Sequence, residues 1–370
     1  MIATLGLADL FIINDLEEFS PGIYMATGED PHFEIRNLPD GLVQEISIVL
    51  KAENGEFIEI YWTYGEEESY SVDSRSSQII TPNIENTYKF SLNSDKEIKK
   101  LRLDPTNAPG KIEIKDIKIF YLPHVLEGVT DETYDLTRYI LKFQSHCEKY
   151  LAPLCNPRGK SVLVIGAGHG TEMLWCILNG AKEVIGIDVA DKNTNALKIA
   201  LTQMEMINVC DYEMLRMSVE EIDKIGRKFD LVLSNNVFEH LPDINKAFSS
   251  CKKMIEPFEG RIVVFTDPLF YSSSGAHIPL LAPWEHLWNN EIKDKTNGYL
   301  WQQYKSLNKM RLLDFIKSIE CNNLAIIKLN VIPDRNIENI KSYLNLIPCD
   351  SITNLVLEGI SVELMRIDSD

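Results

Sequence analysis

The alternation of apolar and polar positions changes character near residue 124. Before that point, short segments alternate apolar and polar side chains and are separated by turn residues; these segments include 44–50, 57–62 and 87–92. A period of two is typical of strands with one buried face, and no helical period interrupts the pattern. Residues 1–123 are therefore predicted to form an all-β antiparallel sandwich.

After residue 124, short apolar runs alternate with amphipathic stretches. The pattern predicts helices at 131–151, 171–179, 193–205, 244–254 and 312–319, and strands at 161–165, 183–187, 231–234, 261–265, 324–331 and 359–366. Repeated strand–helix units of this kind predict an α/β domain whose parallel sheet carries helices on both faces. Residues 124–370 are predicted to form this second domain.

A glycine-rich loop, GAGHG at 166–170, follows the first apolar strand of the second domain and precedes a helix. Glycines there let the backbone turn sharply and let a ligand approach its amides closely. Asp188 ends the next strand, 22 positions after Gly166, which is close to the spacing expected of a carboxylate that binds ribose hydroxyls. A dinucleotide-binding loop would have glycine where this chain has Thr171. The loop therefore favours a nucleoside with an amino-acid tail.

Three segments together resemble the class I S-adenosylmethionine-dependent methyltransferases: VLVIGAGHG (162–170), VIGIDVA (184–190) and FDLVLSNNVFEHLPD (229–243). The resemblance covers roughly residues 130 to 370. It implies that the second domain is a Rossmann-like methyltransferase domain with a mostly parallel seven-stranded sheet. It also implies that S-adenosyl-L-methionine is the cofactor.

The same resemblance implies which residues contact the cofactor: Gly166, Ala167, Gly168, Gly170, Asp188, Val189, Ser218, Val219 and Asn235. Asp188 would accept both ribose hydroxyls, Val189 would pack on the adenine, and Asn235 would lie beside the methionine moiety. Two positions depart from the family, since many relatives have an acid at the position of Val164 and an Asp at that of Ser218. The partner of the cofactor's amino group is therefore left unassigned.

Three histidines, His240, His277 and His286, are candidates for catalysis because imidazole is a natural base toward a hydroxyl acceptor. His240 follows the strand predicted at 231–234, at the sheet edge where ligands of α/β proteins bind; alternatively, it caps or packs against the next helix. His277 and His286 lie in a long insertion after the strand predicted at 261–265. Such an insertion is typical of substrate-binding loops, although it is equally consistent with a surface excursion anchored by tryptophans.

A divalent metal is an alternative way to bind an acceptor with neighbouring hydroxyls, and Glu239, Asp243 and Asp267 offer oxygen ligands. Nothing in the spacing of these acids requires an ion, so no metal is predicted. The formal net charge of -18 argues against nucleic acid as a partner. No run of about 18 apolar residues predicts a membrane span, and the N-terminus lacks the basic region of a signal peptide. Seven cysteines without a CxxC pair predict reduced thiols in a cytoplasmic protein.

In the N-terminal region, the segment LRLDPTNAPGKIEI (101–114) resembles β-sandwich accessory domains of bacterial polysaccharide-synthesis enzymes. That resemblance covers roughly residues 18 to 123. It implies glycan binding by stacking on aromatic side chains, for which the candidates are Tyr61, Trp62, Tyr64 and Tyr70. The alternative is a scaffold or a dimerisation module that would give a homo-oligomer.

These observations together predict a cytoplasmic S-adenosylmethionine-dependent O-methyltransferase of polysaccharide biosynthesis. The predicted acceptor is a sugar hydroxyl of a nucleotide sugar, a lipid-linked glycan or a polysaccharide. One alternative is a methyltransferase for a small natural product or a carboxylate. Another is a non-catalytic glycan-binding protein whose second domain senses the cofactor.

Overall fold

The computed structural model describes residues 2–92, 94, 96–123, 129–192, 194–204, 206, 208–279, 281–347 and 352–368. The chain divides into two compact units, Met1–Lys142 with Lys198–Ile207, and Phe143–Leu197 with Asn208–Asp370. The predicted domain boundary at residue 124 lies outside the described residues, and so do both ends, 193 and 205, of one predicted helix.

The first unit contains two antiparallel sheets. Its strands are β1 (Ile2–Leu5), β2 (Leu10–Asn14), β3 (Leu16–Ser20), β4 (Ile23–Ala26), β5 (His32–Ile35), β6 (Leu42–Ala52), β7 (Phe57–Thr63), β8 (Arg75–Ile79), β9 (Asn86–Ser91), β10 (Lys100–Asp104) and β11 (Gly110–Leu122). One sheet has the order β3-β4-β11-β6-β9 with β1 also on β11, and the other has the order β2-β5-β10-β7-β8. The prediction of an all-β N-terminal region is confirmed.

Alternating burial explains why these segments form strands. Along β6, nearly every second side chain is buried, and Ile46, Ile48 and Leu50 are fully enclosed. They pack in one hydrophobic cluster with Ile58 and Ile60 of β7, which belongs to the other sheet. The two sheets therefore share a core, as a period of two requires when one face of each sheet is apolar. Helix α1 (Asp131–Lys142) follows the last strand.

The second unit alternates strands with helices. Its elements are α2 (Gln144–Tyr150), β12 (Ser161–Ile165), α3 (Thr171–Leu178), β13 (Glu183–Asp188), α4 (Asn195–Gln203, which continues into the first unit), β14 (Asp211–Arg216), β15 (Leu231–Asn235), α5 (Ile244–Lys253), β16 (Arg261–Thr266), α6 (Glu285–Trp288), α7 (Gly298–Ser306), α8 (Leu312–Cys321), β17 (Leu324–Pro333), α9 (Ile352–Leu355) and β18 (Leu357–Arg366). The single helix predicted at 131–151 is wrong, because the chain breaks at Phe143 into α1 and α2.

The sheet of this unit has seven strands in the order β14-β13-β12-β15-β16-β18-β17. Neighbouring strands from β14 to β16 are parallel, whereas β18 runs antiparallel to both β16 and β17. The predicted Rossmann-like α/β fold is thus confirmed, with a sheet that is only partly parallel. Because parallel strands end at the same edge, the loops after β12, β13, β15 and β16 meet there.

Within the described ranges, no helix is long and apolar enough to cross a membrane. The cysteines that the structure describes are free thiols: Cys147, Cys155, Cys176, Cys210, Cys251 and Cys321. Cys349 lies outside the described residues.

Candidate active site

The glycine loop between β12 and α3 adopts backbone angles that favour glycine. Gly166, Gly168 and Gly170 have φ values of +66°, +54° and +103°. A Cβ on Gly166 would lie 2.3 Å from Cγ2 of Val237, and one on Gly170 would lie 2.9 Å from Cδ2 of Leu197. A Cβ on Gly168 would meet no atom of the described residues within 4 Å. Two of the glycines therefore allow close packing of the loop, and Gly168 leaves open space above it.

Asp188 is held against this loop by two backbone amides. Its Oδ2 accepts a hydrogen bond from the amide of Gly168 at 3.1 Å, and its Oδ1 accepts one from the amide of Ala190 at 2.9 Å. Each carboxylate oxygen keeps further lone-pair capacity for a hydroxyl donor. The structure thus brings Asp188 and the glycine loop together.

The next predicted cofactor residues differ in what their side chains offer. Val189 follows Asp188 and is 68% exposed, so it presents an apolar surface that a flat ring could cover. The hydroxyl of Ser218 instead caps the 3-10 helix Val219–Ile225 and accepts a hydrogen bond from the amide of Glu220 at 3.3 Å. Val219 is buried in the core. Any contact made by Val219 would therefore involve its backbone, whereas the Ser218 hydroxyl keeps its own hydrogen for a ligand.

Asn235 ends β15 beside the glycine loop, because Ile165 and Ser234 are partners in the parallel register of β12 and β15. Its Nδ2 donates to Oε1 of Glu172 at 2.6 Å. Its buried Oδ1 accepts no hydrogen bond of normal geometry in the described part of the chain, but the His146 side chain lies close enough to interact with Asn235. Burial lowers the pKa of His146, and the contact with Asn235 opposes that shift. Glu172 was missed by the sequence analysis, although an acid in the otherwise apolar segment TEMLWCIL is a visible signal. Burial raises the pKa of Glu172, and its bond to Asn235 acts in the opposite direction.

The hydrogen bonds of His240 define its tautomer. Nδ1 of His240 lies 2.8 Å from Oγ of Ser306, and that hydroxyl donates its own hydrogen to the carbonyl of Gln303 at 2.7 Å. Because a carbonyl cannot donate, Oγ of Ser306 accepts the bond from Nδ1–H of His240. Nε2 of His240 therefore carries the free lone pair. Burial lowers the pKa of His240 to about 4, with His277 acting in the same direction, so the imidazole is neutral at pH 7.

The alternative that His240 caps the next helix does not fit the structure. Helix α5 is capped by Asp243, whose Oδ1 accepts a hydrogen bond from the amide of Lys246 at 2.9 Å. His240 instead faces His277, and the two ring centroids lie 5.5 Å apart with the planes nearly perpendicular.

The other two predicted histidines bond to backbone carbonyls. Nε2 of His277 donates to the carbonyl of Pro268 at 3.0 Å, and burial lowers the pKa of this histidine. Nε2 of His286 donates to the carbonyl of Phe270 at 2.6 Å, and burial lowers its pKa to about 4. The His286 side chain is buried, and its ring packs 5.2 Å from that of Phe270. This geometry favours a role for His286 in holding the insertion together.

Two carboxyl groups near His240 have raised pKa values. Glu239 is buried, and its Oε2 accepts a hydrogen bond from Oγ1 of Thr266 at 2.7 Å. Burial raises the pKa of Glu239 to about 7 and that of Asp267 to about 6, and in Asp267 the charge of Glu358 adds to the effect. Across the ranges that the structure describes, no group of three or more His, Cys, Asp or Glu side chains could hold a metal ion. The metal site considered for Glu239, Asp243 and Asp267 is therefore not formed there.

Several buried polar atoms near the ends of β15 and β16 lack a hydrogen-bond partner among the residues described: Oγ of Ser234, Oδ1 of Asn235, Oε1 of Glu239, Oδ1 of Asp267 and Oγ of Ser272. Buried polar groups in folded proteins are normally paired. Their concentration at the edge where ligands of α/β sheets bind indicates a place for a hydrogen-bonding ligand.

In the first unit, the aromatic residues predicted to bind glycan are engaged with their neighbours. The hydroxyl of Tyr61 donates to Oε2 of Glu59 at 2.8 Å, and Nε1 of Trp62 donates to the hydroxyl of Tyr64 at 3.2 Å. The rings of Tyr61 and Tyr70 lie 6.5 Å apart, edge to face. Glycan binding by these side chains remains a prediction.

Part of this chain is similar in sequence to known proteins. Residues 163–264 match the protein family described as a methyltransferase domain. The ubiquinone biosynthesis O-methyltransferase of Rhizobium etli is 36% identical over 100 residues, which are 27% of this chain and 38% of that protein. The corresponding enzyme of Bartonella bacilliformis is 34% identical over 107 residues, or 29% of this chain and 40% of that protein. The chain thus spans about two fifths of the length of these curated relatives.

Among solved structures, an S-adenosylmethionine-dependent methyltransferase from Mesorhizobium loti is 16% identical, with a TM-score of 0.37 and coverage of 58% of this chain and 95% of that one. The family match places a methyltransferase domain at residues 163–264. The match does not include the first 162 residues, so the resemblance of the N-terminal region to polysaccharide-synthesis accessory domains remains a prediction.

The residues present fit S-adenosylmethionine. The space above Gly168 admits a ligand to the loop backbone, Asp188 has acceptor capacity for hydroxyl groups, and Val189 offers an apolar surface. Beside the same loop, Oδ1 of Asn235 accepts no hydrogen bond of normal geometry from the described residues and can accept one from a ligand.

Proposed function

We propose that this chain is an S-adenosylmethionine-dependent O-methyltransferase in which His240 is the general base toward the acceptor hydroxyl. The observation that carries the proposal is the tautomer of His240, since the bond to Ser306 leaves Nε2 with its lone pair. A positioned base of this kind contributes roughly 100-fold or more to proton transfer. When bound, S-adenosylmethionine supplies an electrophilic methyl group.

In this proposal, the protein aligns the acceptor and removes its proton. Nε2 of His240 accepts the hydroxyl proton as the acceptor oxygen becomes the nucleophile. His277 lies edge to face with His240, and its own bond to the carbonyl of Pro268 holds its ring in place. Burial keeps His240 unprotonated at physiological pH, so the lone pair on its imidazole is available, while the lowered pKa makes it a weaker base than an exposed histidine and leaves more of the rate to alignment of the acceptor.

We propose a sugar hydroxyl as the acceptor. Support comes from Oε1 of Glu239, Oδ1 of Asp267 and Oγ of Ser272, which have no partner among the described residues and suit an acceptor that carries several hydroxyl groups. A second candidate is a small natural product with one reactive hydroxyl. That candidate is favoured by the names of the curated relatives, which are O-methyltransferases of ubiquinone biosynthesis.

The test is transfer of a radiolabelled methyl group from S-adenosylmethionine to a panel of nucleotide sugars, oligosaccharides, phenols and carboxylates. The proposal expects label on a hydroxyl oxygen, with the sugars labelled fastest, and loss of turnover in His240→Gln. Label on phenols alone would replace the sugar with the second candidate. Label on carboxylates alone, or full activity of His240→Gln, would contradict general-base O-methylation.

A further inference from the structure

Beside the glycine loop, the buried side chain of Glu172 is hydrogen-bonded to the partly buried side chain of Asn235. We propose that this pair binds the ammonium group at the amino-acid end of S-adenosylmethionine, with Glu172 and Oδ1 of Asn235 as the acceptors. The inference rests on the proposed function and names residues for one part of its cofactor site. It also names a partner for the cofactor's amino group. The sequence leaves that partner unassigned, because Val164, in the strand before the loop, is apolar and fully buried.

The register of the sheet puts the pair next to the loop. Glu172 is the second residue of α3, which begins directly after Gly170. Asn235 follows Ser234, the register partner of Ile165, and Ile165 is the last residue before Gly166. Both side chains therefore lie at the carboxyl edge of the sheet, within reach of a ligand whose ribose is bound by Asp188.

On the side of α2, the partly buried imidazole of His146 interacts with the Asn235 side chain. His146 packs its ring edge to face on Phe265 at 5.4 Å, and Phe265 is the register partner of Asn235 in the neighbouring strand β16. Helix α2 is fastened to α3 by hydrogen bonds, from Gln144 to the carbonyl of Thr171 at 3.1 Å and from Trp175 to Glu148 at 3.0 Å.

The pair has unused capacity for hydrogen bonds. Oδ1 of Asn235 and Nε2 of His146 are buried, and the described residues provide neither with a hydrogen bond of normal geometry. Glu172 is 8% exposed and receives one side-chain donor, the amide of Asn235. A buried carboxyl with so few donors is unfavourable as an anion, which agrees with its raised pKa.

An ammonium group would supply the hydrogen-bond donors and the positive charge that Glu172 and Asn235 lack. It carries three N–H donors and one positive charge, so it can bond to the Glu172 carboxylate and to Oδ1 of Asn235 at once. Pairing with a cation would also compensate the buried charge of Glu172. A neutral ligand tail would leave the charge of the Glu172 carboxylate uncompensated.

The test is calorimetric titration with three ligands: S-adenosylhomocysteine, its analogue without the amino group, and 5′-methylthioadenosine, which lacks the whole amino-acid end. We expect Glu172→Gln to weaken S-adenosylhomocysteine binding at least tenfold and to change the affinity of the other two ligands less than twofold. Glu148→Gln is the matched control, because it removes a nearby carboxylate whose hydrogen-bond partner is Trp175. It should leave all three affinities unchanged.

Two results would overturn the inference: equal weakening of all three ligands by Glu172→Gln, or no weakening of any. If the wild type binds none of the ligands, the proposed function fails instead, so the two failures are distinguishable. Thermal unfolding checks that Glu172→Gln is folded. Should that variant not fold, Asn235→Ala provides the same comparison, with selective loss of S-adenosylhomocysteine expected and uniform or absent loss contradicting the proposal.

Discussion

Replacing Gly168 with alanine tests whether the open space above the glycine loop belongs to the cofactor. The φ value of Gly168 is +54°, and an added Cβ would meet nothing within 4 Å. A left-handed conformation costs an L-residue about 1–2 kcal/mol. Gly168→Ala should therefore destabilise the protein by about that amount, without a steric clash.

Gly226 provides a matched control, because its φ value is +73° and an added Cβ would also meet nothing within 4 Å. It is the C-cap of the 3-10 helix Val219–Ile225. Gly226→Ala should lose the same stability, about 1–2 kcal/mol. Gly166→Ala differs from both, because its Cβ would lie 2.3 Å from Cγ2 of Val237. That clash should add about 1–3 kcal/mol to the cost of the backbone conformation.

The assay pairs urea unfolding with calorimetric titration of S-adenosylhomocysteine. A methyl group in the cofactor's space should weaken binding at least tenfold in Gly168→Ala, which corresponds to about 1.4 kcal/mol. Gly226→Ala should bind as the wild type does, although its stability falls equally. Wild-type affinity in Gly168→Ala, or an equal loss of affinity in Gly226→Ala, would refute the assignment of this space to the cofactor.

Three further predictions concern single side chains. His240→Gln should lower kcat about 100-fold while S-adenosylhomocysteine affinity stays within twofold. The ratio of the wild-type rate to the His240→Gln rate should be constant from pH 6 to pH 8, because the pKa of His240 is held at about 4. A ratio that falls at low pH with a midpoint near pH 6.5 would contradict this. Burial raises the pKa of Glu239 in the folded protein to about 7 from an ordinary 4.5. Because the unfolded chain loses this proton first, the wild type should lose about 3 kcal/mol of stability as the pH rises between those two pKa values. Glu239→Gln should lack that loss in urea unfolding at pH 5 and pH 8, and an identical pH dependence would exclude Glu239 as its source. Arg102→Met should destabilise the first unit by about 2–3 kcal/mol, because it leaves buried Asp104 without its two 2.6 Å hydrogen bonds from Arg102; a loss below about 0.5 kcal/mol would mean that solvent replaces the pair.

Much of the fold of the second unit follows from local patterns in the sequence. Strands β12, β15 and β16 are continuous apolar runs because both faces of the sheet are covered, and the sequence predicts each of them. Strand β14 is missed because it is an edge strand with mostly exposed side chains. The break at Phe143 is missed because neither glycine nor proline marks it. The insertion of β18 between β16 and β17 depends on tertiary pairing that no local period encodes.

Some residues of the candidate site can be predicted from the sequence, and others cannot. Asp188 and Asn235 are found because a motif fixes their distance along the chain from the glycine loop. Glu172 and His146 are missed because their relation to that loop exists only after α2 and α3 pack at the edge of the sheet. The sequence also cannot separate His240 from His286, since the difference lies in their hydrogen-bond partners, a serine hydroxyl for one and a backbone carbonyl for the other.

The central claim is that the glycine loop and Asp188 bind S-adenosylmethionine and not a dinucleotide. Calorimetric titration of the wild-type protein with S-adenosylhomocysteine and, separately, with NAD⁺ tests it most directly. We predict one bound S-adenosylhomocysteine per chain and no heat of binding with NAD⁺. Binding of NAD⁺, or no binding of S-adenosylhomocysteine, would contradict the account.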